Sequence, residues 1–261
     1  MIDLRNKIIL ITGATSGIGE ACAYAFGKSG AKIALTGRNG DRLSALASNL
    51  NNYGTDCFFY KCDLKDYESV ISLKANVESY FNDSIDILIN SAGFAVLGLV
   101  ENLPLSSIRE NFEINFFAPI SLIKLLLPGM KEKGFGQIIN LSSGVGKRGL
   151  PCASSYSSSK FALNGFTESL RVELIKSNID VINISPGLVN SNFASNIILY
   201  GKLKNTFTEG ISSKPQIVAA RILEASMMRK RDVTLSWKTK LGVIANFFFP
   251  KLADIILSKK L

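Results

Sequence analysis

The chain of 261 residues contains no histidine. That absence removes a Ser-His-Asp triad, a histidine general base and histidine-bound zinc together. Any proton transfer then falls to tyrosine, lysine, a carboxylate or cysteine. Cysteine is scarce: Cys22, Cys57, Cys62 and Cys152 form no C-x-x-C pair, a usage that suggests reduced thiols in the cytoplasm. As small apolar residues they need no further role, and no metal site is expected. There is no internal repeat and no low-complexity segment. No apolar run reaches the length of a membrane-spanning helix, and a strand pattern starting at Lys7 leaves no room for a signal peptide. A net charge of +9 comes without any nucleic-acid recognition motif, so no nucleic-acid partner is expected.

What the chain does have is alternation. Strand patterns over 7–12, 32–36, 56–61, 85–90, 137–141, 180–185 and 232–236 are separated by helical patterns over 17–29, 41–53, 66–81, 105–132, 154–176 and 214–229. This rhythm is that of βαβ units on a parallel sheet, and the length suits one α/β domain with a substantial core. Pro215 reads as a helix start. Pro119 and Pro128 predict a kink or an early end within the fourth helix.

Two motifs carry chemistry. The apolar run Lys7 to Thr12 lacks polar alternation, as a strand buried on both faces should. It leads into Gly13-Ala14-Thr15-Ser16-Gly17-Ile18-Gly19 and then a helical pattern. Strand, glycine-rich turn and helix form the context of a dinucleotide site, where backbone meets a pyrophosphate at a positive helix N-terminus. Far along the chain, Tyr156 and Lys160 stand four apart in SSYSSSKFALNGF, thirteen residues after Ser143. Positions i and i+4 share a helix face, and a lysine cation beside a phenol favours the phenolate, bringing a tyrosine of pKa about 10 towards a useful range.

With these motifs, Asn90-Ser91-Ala92-Gly93, Asn115 and Pro186-Gly187 follow in an order and spacing that resemble the short-chain dehydrogenase/reductase family from about Lys7 to Trp237. Ser91 departs from the family, which more often has asparagine there. The resemblance implies a single-domain Rossmann-type, doubly wound parallel seven-stranded sheet in the order 3-2-1-4-5-6-7. It makes residues 1–237 a dinucleotide-binding catalytic domain, with a substrate loop at about 190–210, and leaves 238–261 as a basic, apolar extension. It implies hydride transfer between a nicotinamide cofactor and a carbonyl or secondary alcohol, with Asn115, Ser143, Tyr156 and Lys160 catalytic. Ser143 would hydrogen-bond the substrate oxygen, Asn115 would hold a relay water, and Lys160 would also bind ribose hydroxyls. The cofactor would lie along Gly13, Thr15, Ser16, Gly17, Ile18 and Gly19, against Asn90, Ala92 and Gly93, and near Pro186, Gly187, Val189 and Ser191. Asp63 would border the adenine, or cap the helix starting near Asp66. A homodimer or homotetramer through helices 105–132 and 154–176 is also implied, with Phe116, Phe117, Leu122 and Leu126 as interface candidates. A dinucleotide-binding regulatory protein without turnover is the alternative.

After the second strand the chain reads Leu35-Thr36-Gly37-Arg38-Asn39. A carboxylate there would repel a 2′-phosphate; glycine removes it, and Arg38 supplies a planar cation suited to phosphate. NADP(H) is therefore preferred over NAD(H), although the glycine-rich loop lacks the basic residue some NADP-dependent relatives carry. Phe193, Ile197, Ile198, Leu199 and Tyr200 make the 190–210 stretch unusually apolar for a loop. Either they cover a hydrophobic, lipid- or steroid-like ketone or they pack on the C-terminal region. Residues 200–261 carry +8 of the +9, together with the apolar run Leu241 to Phe249. That segment either lies in a membrane interface or packs back as a lid on the substrate pocket.

Overall fold

The computed structural model describes residues 1–191, 193–201 and 212–259. In chain order the elements are β1 (Ile8–Thr12), α1 (Gly17–Gly27), β2 (Lys32–Gly37), α2 (Gly40–Asn52), β3 (Cys57–Lys61), α3 (Tyr67–Phe81), β4 (Ile87–Asn90), β5 (Val96–Gly98), α4 (Leu105–Phe112), α5 (Ala118–Lys133), β6 (Gly136–Leu141), α6 (Ser154–Glu173), β7 (Ile179–Ser185), β8 (Ile198–Tyr200), α7 (Pro215–Met227), β9 (Asp232–Thr234), α8 (Trp237–Phe248) and α9 (Pro250–Ser258). All five residues of β1 are buried. Ile9 and Ile11 enter the core under α1, α2 and α7, whereas Ile8 and Leu10 enter the one under α3, α5 and α6. Side chains alternate between the faces of a strand, and here both faces are covered, which is why β1 shows no polar alternation.

The seven-stranded sheet runs β3-β2-β1-β4-β6-β7-β9, with every neighbouring pair parallel. This is the expected doubly wound order. Helices meet it through apolar stripes at helical spacing, such as Val70, Leu73, Val77 and Phe81 of α3. A second, two-stranded parallel sheet, β5 with β8, was not expected from the sequence. It takes Ile198, Leu199 and Tyr200 out of the supposed loop and fixes them to Val96, Leu97 and Gly98. The remainder of that loop from 202 to 211, with residue 192, lies outside the described residues.

The fourth helical pattern differs from its expectation. Neither proline ends it: α4 continues through a π-helical turn, Glu113–Phe117, into α5. Pro119 falls directly after the π-helical turn, where the i→i−4 ladder is already interrupted. Pro128 removes one backbone bond, but Leu126 and Met130 on either side are held in the core and the helix stops only at Gly134, φ 63°. Taken together, 105–133 is long and apolar enough to cross a membrane by length and composition, yet Leu122, Ile123 and Leu126 face the sheet. Leu122 and Leu126 are thus core residues and unavailable to a subunit interface; Phe117 remains exposed. Leu122 is wholly buried. Leu122→Ala is expected to lower the unfolding free energy by about 2–5 kcal/mol, read from urea titrations, and a loss under about 1 kcal/mol would contradict this packing.

Candidate active site

The strand order reverses between β1 and β4, and a crevice opens beyond their carboxyl ends. There Thr12, itself buried, uses its hydroxyl fully. It accepts from the Ser91 and Ala92 N–H groups, each at 3.0 Å, and donates to the Ile89 carbonyl at 3.4 Å. Gly13 follows at φ 63°, and a Cβ on it would lie 2.8 Å from the Ala92 Cα. Gly17, at φ 60°, would bring a Cβ within 3.1 Å of the Ser191 side chain. Gly19 sits behind the loop, against the Gly13 carbonyl. Ser16 is the N-cap of α1, but its hydroxyl makes no cap bond. The first N–H groups of α1 are left to an outside acceptor, at the positive end of the helix dipole.

The cleft, about 1120 Å³, reaches from Thr15, Ser16, Gly17 and Ile18 to Ser143, Tyr156 and Lys160. Its volume lies just above the range of about 300–1,000 Å³ usual for one small ligand. At the other end, Ser143 is an extended residue two positions after β6, its hydroxyl accepting from the Val145 N–H at 3.4 Å. Tyr156 and Lys160 share one face of α6, with Nζ 6.0 Å from the phenol ring centroid. Lys160 Nζ donates to the Leu141 carbonyl at 2.9 Å. Burial pushes the Tyr156 phenol up to about 12, against a hydrogen bond with Ser143 that pulls it down. Burial also brings the Lys160 ammonium down to about 8. The expected lowering of the tyrosine by its lysine is not what dominates here; desolvation of both groups is.

Residues 7–199 match the family model described as short chain dehydrogenase. The chain belongs to the short-chain dehydrogenase/reductase family. It is 36% identical over 242 residues to the mouse dehydrogenase/reductase SDR family member 7B, covering 89% of this chain and 74% of the mouse protein. A short-chain dehydrogenase/reductase from Burkholderia phymatum, solved with NAD, superposes with TM-score 0.89 over 97% of this chain and 96% of that one; at 19% identity it shows the fold alone. An alcohol dehydrogenase from Thermococcus sibiricus, complexed with 5-hydroxy-NADP, is 27% identical with TM-score 0.78, covering 88% of this chain and 96% of that one.

This short-chain dehydrogenase/reductase places most of its predicted site residues on the cleft. Arg38, Asp63, Ala92, Gly93, Pro186, Gly187, Val189 and Ser191 all line it. Arg38 is exposed and has no hydrogen-bond or ion-pair partner among the described residues. Asn39 takes the capping task beside it, accepting from the Arg42 N–H at 3.0 Å, so the guanidinium is free to meet an anion. Asp63 does not cap α3; Asp66 does, leaving Asp63 to accept from the Lys65 N–H at 3.1 Å.

Three predicted residues stand back from the cleft: Gly19, Asn90 and Asn115. Asn115 occupies the π-helical turn, a common irregularity at functional sites. It is wholly buried, donating to the Phe94 carbonyl and Ser159 Oγ, both at 3.0 Å, and accepting from the Phe94 N–H at 3.1 Å. Its Oδ1 would lie 2.8 Å from a Cβ on Gly93, with Lys160 Nζ 3.6 Å from the same point. Asn90 instead donates to Asn140 at 2.8 Å, and Asn140 to Thr167 at 2.9 Å. On the next strand Asn183 donates to Asn164 at 2.9 Å, which donates to the Gly146 carbonyl at 2.8 Å. This amide row ties β4, β6 and β7 to α6 and to the loop after Ser143. Sequence reasoning missed Asn140, Asn164 and Asn183; the signal for Asn140 and Asn183 was an asparagine within an apolar strand run, where an amide must find partners.

The C-terminal extension packs back on the cleft, as one of its two expected placements has it, although its lining residues could not be named from the sequence. Thr239, Val243, Phe249, Leu252 and Ile256 of the α8–α9 region line the cleft. Ser236 packs where a Gly187 side chain would be (2.9 Å), and Thr239 where one on Gly144 would be (2.7 Å). Apolar residues without a motif give no sign of which cavity they line. Gly13→Ala should abolish dinucleotide binding in a fluorescence titration, since the new methyl group meets Ala92 backbone and the φ is unfavourable to a side chain; retained affinity would refute the close approach.

Proposed function

We propose that the protein is an NADP(H)-dependent carbonyl reductase and alcohol dehydrogenase acting on hydrophobic ketones or secondary alcohols. The observation that carries this is the opening of Ser143, Tyr156 and Lys160 into the same cleft as the uncapped N-terminus of α1. Residues 1–237 act as the catalytic domain and 238–261 as its covering extension, in the reducing cytoplasm that four free cysteines suit.

Bound NADP(H) supplies or receives the hydride. The chain's own groups do the rest. Gly13 to Ile18 hold the pyrophosphate, Arg38 the 2′-phosphate, and Pro186, Gly187, Val189 and Ser191 the nicotinamide side. Ser143 donates a hydrogen bond to the substrate oxygen as negative charge develops there. Tyr156, its phenol raised to about 12, is protonated at neutral pH and delivers its proton to that oxygen. Lys160 binds ribose hydroxyls, and Asn115 in its π-helical turn keeps the proton relay behind it in place. Phe94, Leu150, Phe193 and Ile197, all on the cleft wall, give the substrate end an apolar lining. Subunits pair through the outer faces of α6 and of α5 with the π-helical turn before it, where Phe161 and Phe117 are about half exposed.

A screen of carbonyl compounds and alcohols, following reduced-cofactor absorbance with NADP and NAD side by side, tests the activity. Tyr156→Phe should cut turnover by roughly 10²-fold or more while leaving the cofactor Kd unchanged; residual activity within about tenfold of the parent would sink the assignment. In the parent, ketone reduction should hold level through neutral pH because the phenol stays protonated. Alcohol oxidation, which needs the phenolate, should climb as pH rises. Arg38→Ala should raise KM for NADPH roughly ten- to hundredfold and spare NADH, the loss of one charge-assisted contact of about 1.5–3 kcal/mol. A parent enzyme that prefers NADH would show that Gly37-Arg38 has been misread.

A further inference from the structure

The two C-terminal helices have no buried residue between them. Their inner side is only half-buried, through Thr239, Val243, Ala253 and Leu257. Their outer side presents Trp237, Leu241, Ile244, Phe247, Phe248 and Ile255, each between 54% and 79% exposed. A run of large apolar groups this open in water implies something that covers it. Around it stand Lys238, Lys240, Lys251 and Lys259, all exposed and none in an ion pair among the described residues. The one acid in 238–261, Asp254, is already paired with Arg148 of the cleft wall. The patch is therefore apolar in the middle and of one sign at its edge.

We infer that the outer face of α8–α9 docks on a lipid bilayer with anionic headgroups, and that hydrophobic substrate enters the cleft from there; the entry route rests on the reading of the substrate as apolar. Two features of the patch select this occupant. A second copy of the chain in a two-fold pair would set the patch against itself, bringing lysines onto lysines with no free acid to meet them, whereas anionic headgroups complement them. The helices are also of the right length to lie in the interface. At twelve residues α8 is about 18 Å long, too short for a hydrocarbon core of about 30 Å but suited to immersion of one face. The route follows from residues that belong to both surfaces. Phe249, Leu252 and Ile256 line the cleft and are also more than half exposed, so apolar surface continues from the patch into the cavity. An apolar molecule crossing that rim need not re-enter water.

Trp237 is the chain's one tryptophan and stands on this face, so its fluorescence reports docking directly. The full chain is titrated with phosphatidylcholine vesicles, with and without phosphatidylserine, at low and moderate salt. Expected is a blue shift with the phosphatidylserine vesicles alone, weakened by salt as screening grows. Phe247→Ser with Phe248→Ser, neither on the cleft wall, should require at least about tenfold more lipid, with NADP(H) titration unchanged as the check on folding. Lys240→Glu with Lys251→Glu should remove the preference for phosphatidylserine; Lys238 is left alone because it lies over the Trp237 ring. No shift with either vesicle, an equal shift with both, or a shift indifferent to the phenylalanine pair would overturn the inference. So would a dimer by light scattering that the phenylalanine pair dissolves while vesicles produce no shift. The measurement needs no substrate, so an enzyme that reduces ketones but ignores vesicles overturns the docking and leaves the activity standing.

Discussion

The pin between β1 and β4 at Thr12 is the constraint on which the cleft depends. Its hydroxyl satisfies two N–H groups of the Ser91-Ala92 turn and one carbonyl, inside a region where an unpartnered polar group is costly. The chain leaves β1 towards α1 and leaves β4 towards β5 at the place where the sheet's order reverses, so two strand ends would otherwise part there. Held by Thr12, they bring the Gly13 backbone onto Ala92. The glycines of the loop answer that approach, and the free N-terminus of α1 is aimed by it. A methyl group in place of a hydrogen at Gly13 therefore acts on the whole floor of the site.

Burial does the electrostatic work at the other end. On one face of α6 Lys160 is buried and Tyr156 half-buried, and desolvation moves each towards its neutral form, the phenol to about 12 and the ammonium to about 8. A phenol so raised stays protonated at neutral pH, and a dinucleotide's negative charge nearby would favour the lysine cation again. The amide row of Asn90, Asn140 and Asn183 keeps this arrangement in register, because it links three neighbouring strands to the helix that carries both groups. Polar groups deep in a sheet fix relative position in a way that interchangeable apolar contacts do not.

The sheet and its order were legible because parallel strands covered on both sides must be largely apolar, and β1 and the first three residues of β4 read that way. Motif residues were legible because glycine, tyrosine and lysine have few substitutes for the tasks they share. Three things were not. A strand of three residues, such as β5 or β8, is shorter than any periodicity. The π-helical turn at Glu113–Phe117 leaves no mark beyond an asparagine among apolar residues and Pro119 just after it. In α8 and α9, both faces are apolar, so neither spacing nor polarity told the inner side from the outer.

That last ambiguity has a physical origin in the work of the segment. A helix that only lids a cavity needs one apolar face, and water would favour polar residues on the other. Here the outer face is as apolar as the inner one, and the root of α8 is seated on the site itself, Ser236 against Gly187 and Thr239 against Gly144. Gly144 follows Ser143, and Gly187 belongs to the wall opposite. The root of α8 therefore abuts the loop that carries the Ser143 hydroxyl, close enough that a Cβ on Gly187 would lie 2.9 Å from Ser236 and one on Gly144 2.7 Å from Thr239. The helix that presents Trp237 and Phe248 outward thus packs, through Ser236 and Thr239, beside the group that would hold the substrate oxygen.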